Sequence, residues 1–76
     1  MDHTKTTTVD ARGLSCPEPV IMTKKALEGG PEECTVLVDA VAARENVTRY
    51  ARSQGYTVDV LEDEDEEEWT LTLNKA

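Results

Sequence analysis

The chain is short of most of what secreted, metal-binding and nucleic-acid-binding proteins rely on. It has only two cysteines, Cys16 and Cys34, too few for the disulfide framework that holds small secreted domains together. Its single histidine, His3, stands alone near the N-terminus. Cys16, Cys34 and His3 do not fall at metal-ligand spacing, so no metal site is expected. No apolar run approaches the roughly 20 residues of a membrane span. The segment Met1-Asp2-His3-Thr4-Lys5 lacks the apolar stretch of a signal peptide, and a reducing cytoplasm is the expected compartment. Basic residues are sparse, 8 Lys and Arg against 16 Asp and Glu. Direct binding of nucleic acid, which needs a clustered basic footprint, is therefore not expected. Seventy-six residues make one domain, 1–76, near the lower limit for folding on an ordinary apolar core. That leaves no room for a large substrate cavity together with a full catalytic apparatus, and favours a small carrier or binding module.

The net charge of −8 is concentrated in one place. Glu62-Asp63-Glu64-Asp65-Glu66-Glu67-Glu68 supplies seven negative charges, and the remainder of the chain carries −1. The block contains no Gly, Asn or Pro, and it reads as a mobile, self-repelling acidic loop over 62–68.

Hydrophobic patterning predicts the order β-α-β-α-β-β. Residues 6–9 are β-branched throughout and form a first strand ending near Asp10, after a disordered tail over 1–5. A helix is predicted over 17–28, with Val20, Ile21, Ala26 and Leu27 as its apolar stripe and Lys24 and Lys25 facing water. Gly29-Gly30-Pro31 stops it. Residues 34–38 form a compact apolar strand ending at Asp39. A second helix over 42–54 places Ala43, Val47, Tyr50, Ala51 and Gln54 on one face and Arg44, Arg49 and Arg52 on the others. Residues 56–61 and 69–73 alternate as strands, with Val58 and Val60 on one side of the first and Trp69, Leu71 and Leu73 facing the core from the second. Right-handed crossovers put both helices on one face of a four-stranded mixed sheet, giving a two-layer α/β sandwich.

Within this frame Cys16 is the residue that carries chemistry. It precedes Pro17 at the start of the first helix, and proline suits the first helical position. Cys16 is thus expected at the N-cap, where unpaired amides and the positive end of the helix dipole stabilise a thiolate. Backbone N–H groups around Glu18 to Val20 would supply that stabilisation. Arg12 is the nearest cation to lower the thiol pKa or steer a partner, whereas Glu18 opposes it, so only modest activation is expected. Pro17 and Pro19 fix the backbone near the thiol, and Gly13 turns the preceding loop. Asp10 and Asp39 end parallel strands on the same edge, where capping of loops is favoured over a role in the site. Cys34 opens a strand at the other end of a helix spanning roughly 18 Å. It is expected in the core, too far away for a disulfide with Cys16.

The stretch Val9-Asp10-Ala11-Arg12-Gly13-Leu14-Ser15-Cys16-Pro17-Glu18-Pro19-Val20, continuing through Thr23-Lys24-Lys25-Ala26-Leu27, resembles the signature of the TusA/SirA-like (YedF/YeeD) sulfur-carrier family. The specific element is Cys-Pro-x-Pro inside the longer Arg-Gly-Leu-x-Cys frame. In the second half, Val36-Leu37-Val38-Asp39, Ala43-Arg44-Glu45-Asn46-Val47 and Ser53-Gln54-Gly55-Tyr56 look most like the N-terminal domain of the YedF branch, which is commonly followed by a DsrE-like domain. The resemblance implies a domain of this length and element order. It also implies that Cys16 accepts sulfane sulfur as a transient persulfide and relays it, with no other cofactor. The implied donor is a cysteine desulfurase or rhodanese-type protein, and the acceptor is a protein of DsrE-like or other kind. Such a chain is a sulfurtransferase-type relay rather than a stand-alone turnover enzyme, and is either free-standing or part of a two-domain protein. Two other functions share the sequence features: a selenium carrier using the same thiolate, and a non-catalytic interaction module in which the thiol is dispensable.

Overall fold

The computed structural model describes residues 6–15 and 17–76. The tail over 1–5, which includes His3, and the thiol residue Cys16 lie outside the described residues. The elements are β1 (Thr6–Asp10), α1 (Glu18–Leu27), β2 (Glu33–Val38), α2 (Val41–Ser53), β3 (Tyr56–Asp63) and β4 (Glu68–Lys75). They form one four-stranded sheet in the order β1-β2-β4-β3. β1 and β2 are parallel, and β4 is antiparallel to both of its neighbours, β2 and β3. Consequently β1, β2 and β3 all run the same way, and their C-terminal ends share one edge with the start of β4.

Alternation along the strands divides the sheet into a packed face and an open one. Cys34, Val36 and Val38 of β2 lie opposite Leu73, Leu71 and Trp69 of β4, and all six are buried. Val9 joins them from β1, and Ala43, Val47 and Ala51 come down from α2. Burying a side chain such as Leu71 or Leu73 contributes about 1.5–3 kcal/mol, so this double row is the main apolar stabilisation of a small domain. The open face carries Thr8, Thr35, Thr72 and Asp59 side by side.

Four expectations are corrected. First, α1 begins one residue later than predicted. The Pro17 carbonyl accepts the Ile21 N–H at 3.1 Å, so Pro17 is the N-cap and Glu18 the first helical residue. A turn closed by Glu18 N–H donating to the Ser15 carbonyl at 2.9 Å occupies the step before it. Second, the buried stripe of α1 is Pro19, Thr23 and Leu27, and Ile21 faces outward, 45% exposed. Thr23 can be buried because its hydroxyl donates to the Pro19 carbonyl four residues back at 2.8 Å. Third, Gln54 follows the end of α2 and is exposed, and Val60, although on the packed side of β3, is 48% exposed because no helix covers it fully.

Fourth, the acidic block is a loop only over its middle four residues. Pairing of Glu62 with Trp69 and of Asp63 with Glu68 carries the hairpin through both ends of the block, and only 64–67 make the turn. Main-chain pairing with the buried Trp69 register outweighs exposed charge repulsion, which solvent screens. The turn still pays for its composition at Glu67, whose φ of +52° lies in the left-handed region, where a side chain costs about 1–2 kcal/mol. Glu67→Gly removes that strain and one charge. It is expected to stabilise the domain by about 0.5–1 kcal/mol after the added entropy of an unfolded glycine, raising the thermal midpoint by several degrees. An unchanged or lowered midpoint would show that the turn is not strained there.

Candidate functional site

The site is built on the sheet edge where β1 and β2 end. The Ala11 N–H donates to the Leu37 carbonyl at 2.9 Å, extending the strand pairing one residue beyond β1. Asp10 then holds the loop from below. Its carboxylate accepts the Arg12 backbone N–H at 3.2 Å, Arg12 Nε at 2.9 Å and Arg12 Nη2 at 2.8 Å. Asp39, just past the end of β2, accepts the Gly13 N–H at 2.9 Å. Gly13 has a φ of +77°, a conformation that glycine adopts without strain. Leu14 packs partly against the core. The chain then reaches Ser15, whose carbonyl closes the turn into α1. Loop capping, the reading favoured for Asp10 and Asp39, is what these two carboxylates do.

Arg12, Gly13, Ser15, Pro17 and Glu18 are exposed, whereas Pro19 is buried beneath the helix start. Of the residues expected to support the thiol, Arg12 is not a free cation. Beyond its fork to Asp10 it reaches Glu68 Oε1 at 3.3 Å, so two carboxylates share its charge. Glu68 was not anticipated as a neighbour of this loop. The signal for it is topological: with β1, β2 and β3 parallel, the turn into β4 must fall on the same edge. Trp69 and Arg44 sit beside it, the Arg44 guanidinium 5.2 Å from the centre of the Trp69 ring.

The expected ring of amides around Glu18 to Val20 is also reduced. Four N–H groups open a helix without partners inside it. Here Pro17 and Pro19 have none to offer, and that of Glu18 is taken by Ser15. At most the Val20 amide can serve an anion. The two prolines thus shape the helix start more than they charge it. Cys34 is fully buried and free of any disulfide, and burial pushes its thiol pKa up, which keeps it protonated and unreactive. Among the described residues no group of three metal-ligating side chains converges. Among the described residues no helix is long and apolar enough to cross a membrane.

The family model for sulfurtransferase TusA matches residues 7–75. The chain belongs to the TusA family. A TusA relative from Methanocaldococcus jannaschii, named as a sulfur carrier protein, is 44% identical over 69 residues, covering 88% of this chain and 91% of its own. The Bacillus subtilis protein YrkI, likewise named as a sulfur carrier, is 39% identical over 61 residues, 76% of this chain and 77% of its own. The fold agrees with the crystal structure of a SirA-like protein from Desulfitobacterium hafniense, at 38% identity and a TM-score of 0.79, over 90% of this chain and 95% of that one. The predicted α/β order is therefore the TusA fold.

Hydrogen bonds from Arg12, first from its side chain and then from its backbone, lower the Asp10 pKa from 3.8 to about 2. A carboxylate depressed on folding contributes stability above its unfolded pKa and loses it as pH falls through the folded value. The Asp10–Arg12 clamp is therefore intact at neutral pH and released between about pH 4 and pH 2. A carbon-detected NMR titration is expected to find the Asp10 midpoint near 2, rising toward the ordinary value in Arg12→Ala. A midpoint already ordinary in the unsubstituted protein would contradict the clamp.

Proposed function

We propose that the protein is a sulfur carrier that accepts a sulfane sulfur on Cys16 and passes it to an acceptor protein. One observation carries this reading. The residues on both sides of Cys16 in the chain, Ser15 and Pro17, are exposed at the head of α1, on a loop that two carboxylates hold in one conformation. Membership of the TusA family and the sulfur-carrier names of its relatives support the same reading.

The step needs only a thiolate and access. The Cys16 thiolate attacks the terminal sulfur of a donor persulfide, R–S–SH. The donor S–S bond breaks and R–S⁻ leaves with the electron pair, while a new S–S bond makes Cys16 a persulfide. Atoms and charge balance without an added oxidant. Delivery is the same reaction in the other direction, an acceptor thiolate taking the terminal sulfur and Cys16 leaving as thiolate. Arg12, Gly13, Pro17 and Glu18 frame the loop end, and Pro19 anchors it in the core. The donor is a protein that generates persulfide, a cysteine desulfurase or a rhodanese, and the chemistry calls for a compartment that keeps Cys16 reduced, the cytoplasm. The apparatus is that of a relay, in which the carrier is itself consumed and regenerated.

Loading is measured by intact mass. Incubation with a cysteine desulfurase and L-cysteine is expected to add about 32 Da, one sulfur atom, reversible by thiol reductant. Cys16→Ser is expected to lose the addition entirely with its thermal unfolding unchanged, and Cys34→Ala to keep it. Loading of the Cys16→Ser protein, or failure of the unsubstituted protein to load from either desulfurase or inorganic polysulfide, would overturn the reading.

A further inference from the structure

The outer surface of α2 gathers positive charge in an otherwise acidic domain. Three of the four arginines, Arg44, Arg49 and Arg52, lie on this helix. Arg44 is engaged by Glu45 at 3.5 Å and by the Trp69 ring. Arg49 and Arg52 form no ion pair among the described residues, in a chain with 16 acidic side chains. With Thr48 and the half-exposed Val60, these arginines line a shallow groove of about 660 Å³ between α2 and β3. The Thr48 hydroxyl is buried there without a hydrogen-bond partner among the described residues.

A second groove lies on the other flank of α2, lined mainly by apolar surface from Pro17, Val20 and Tyr50. Arg49 borders both grooves. On a helix whose core side is Ala43, Val47 and Ala51, position 49 falls opposite the core at 100° per residue, on the crest between the two. The two grooves are therefore one surface, cationic on the β3 side and apolar on the α1 side, and its apolar end touches Pro17, the residue that follows Cys16.

We propose that this surface docks an acidic segment of the protein that exchanges sulfur with Cys16. Carboxylates of the segment pair with Arg49 and Arg52, and an apolar side chain seats between Pro17, Val20 and Tyr50. The shape favours a polypeptide over a small anion, because the surface is open and crosses a helix rather than enclosing a cavity. Charge complementarity identifies the occupant. An acidic chain repels acidic partners except where its own cations are unpaired, and Arg49 and Arg52 are two such cations on the rim of one groove. That the docked protein is a sulfur donor or acceptor rests on the carrier reading; the surface itself does not.

The test is an NMR titration of the ¹⁵N-labelled protein at low salt with the synthetic peptide Leu-Glu-Glu-Leu-Glu-Asp. Shifts are expected on Val20, Thr48, Arg49, Arg52 and Val60. Roughly tenfold or greater weakening is expected in R49E/R52E and in 0.5 M salt, with R49K/R52K retaining binding. Both arginines are exposed, and circular dichroism checks that the variants fold. Peptide shifts absent from α2, or unchanged in R49E/R52E, would overturn the proposal. So would concentration-dependent self-association that R49E/R52E abolishes, since it would assign the surface to a second copy of this chain. Peptide binding requires no sulfur, so its failure leaves the carrier reading standing, and failure of Cys16 to load leaves the surface standing.

Discussion

Two carboxylates at the ends of neighbouring parallel strands hold the loop that leads to the thiol. Asp10 takes three donors from Arg12, and Asp39 takes the Gly13 amide. Both aspartates are placed by strand pairing that the buried Val36–Leu71 and Val38–Trp69 rows fix in register. The apolar core therefore acts on the site through main-chain geometry: register sets the aspartates, the aspartates set the loop, and the loop sets where α1 begins.

The electrostatics of this end are unusual for the thiolate site proposed above. Asp10 and Glu68 share the one loop cation, Arg12, Asp39 holds the Gly13 amide beside them, and two prolines remove amides from the helix start. An anion here gains little from its own protein. For a relay this is a workable arrangement, because sulfur must leave as readily as it arrives. A strongly stabilised thiolate is a weaker nucleophile. On the carrier reading proposed above, much of the specificity falls to how a partner docks, and the unpaired arginines of α2 lie within one helix flank of Pro17.

Most of the architecture was readable from the sequence because the signals were local and repeated. Trp69, Leu71 and Leu73 alternate cleanly, Ala43, Val47 and Ala51 keep helical spacing, and Gly29-Gly30-Pro31 ends a helix unambiguously. The misses share one physical cause, which is that tertiary partners decide them. Thr23 reads as polar until its hydroxyl finds the Pro19 carbonyl, and Ile21 reads as core until the Pro19, Thr23 and Leu27 stripe takes the buried face. The acidic block reads as a loop until its ends pair across the hairpin. Arg12 reads as a free cation until Glu68 arrives from 56 residues away. In the candidate site the motif pointed to Cys16 and the loop around it, while the neighbours contributed by β4 and α2 became visible only with the topology.

The dependence of the site on its aspartate tether is tested most directly by the rate at which desulfurase loads Cys16 in Asp39→Ala, compared with Asp39→Asn. The alanine variant leaves the Gly13 amide without its acceptor and is predicted to load roughly tenfold or more slowly, as misplaced reacting groups do. The asparagine variant keeps an oxygen at that position and is predicted to load at close to the unsubstituted rate. Equal loading by the alanine variant, with its unfolding midpoint unchanged, would contradict the account.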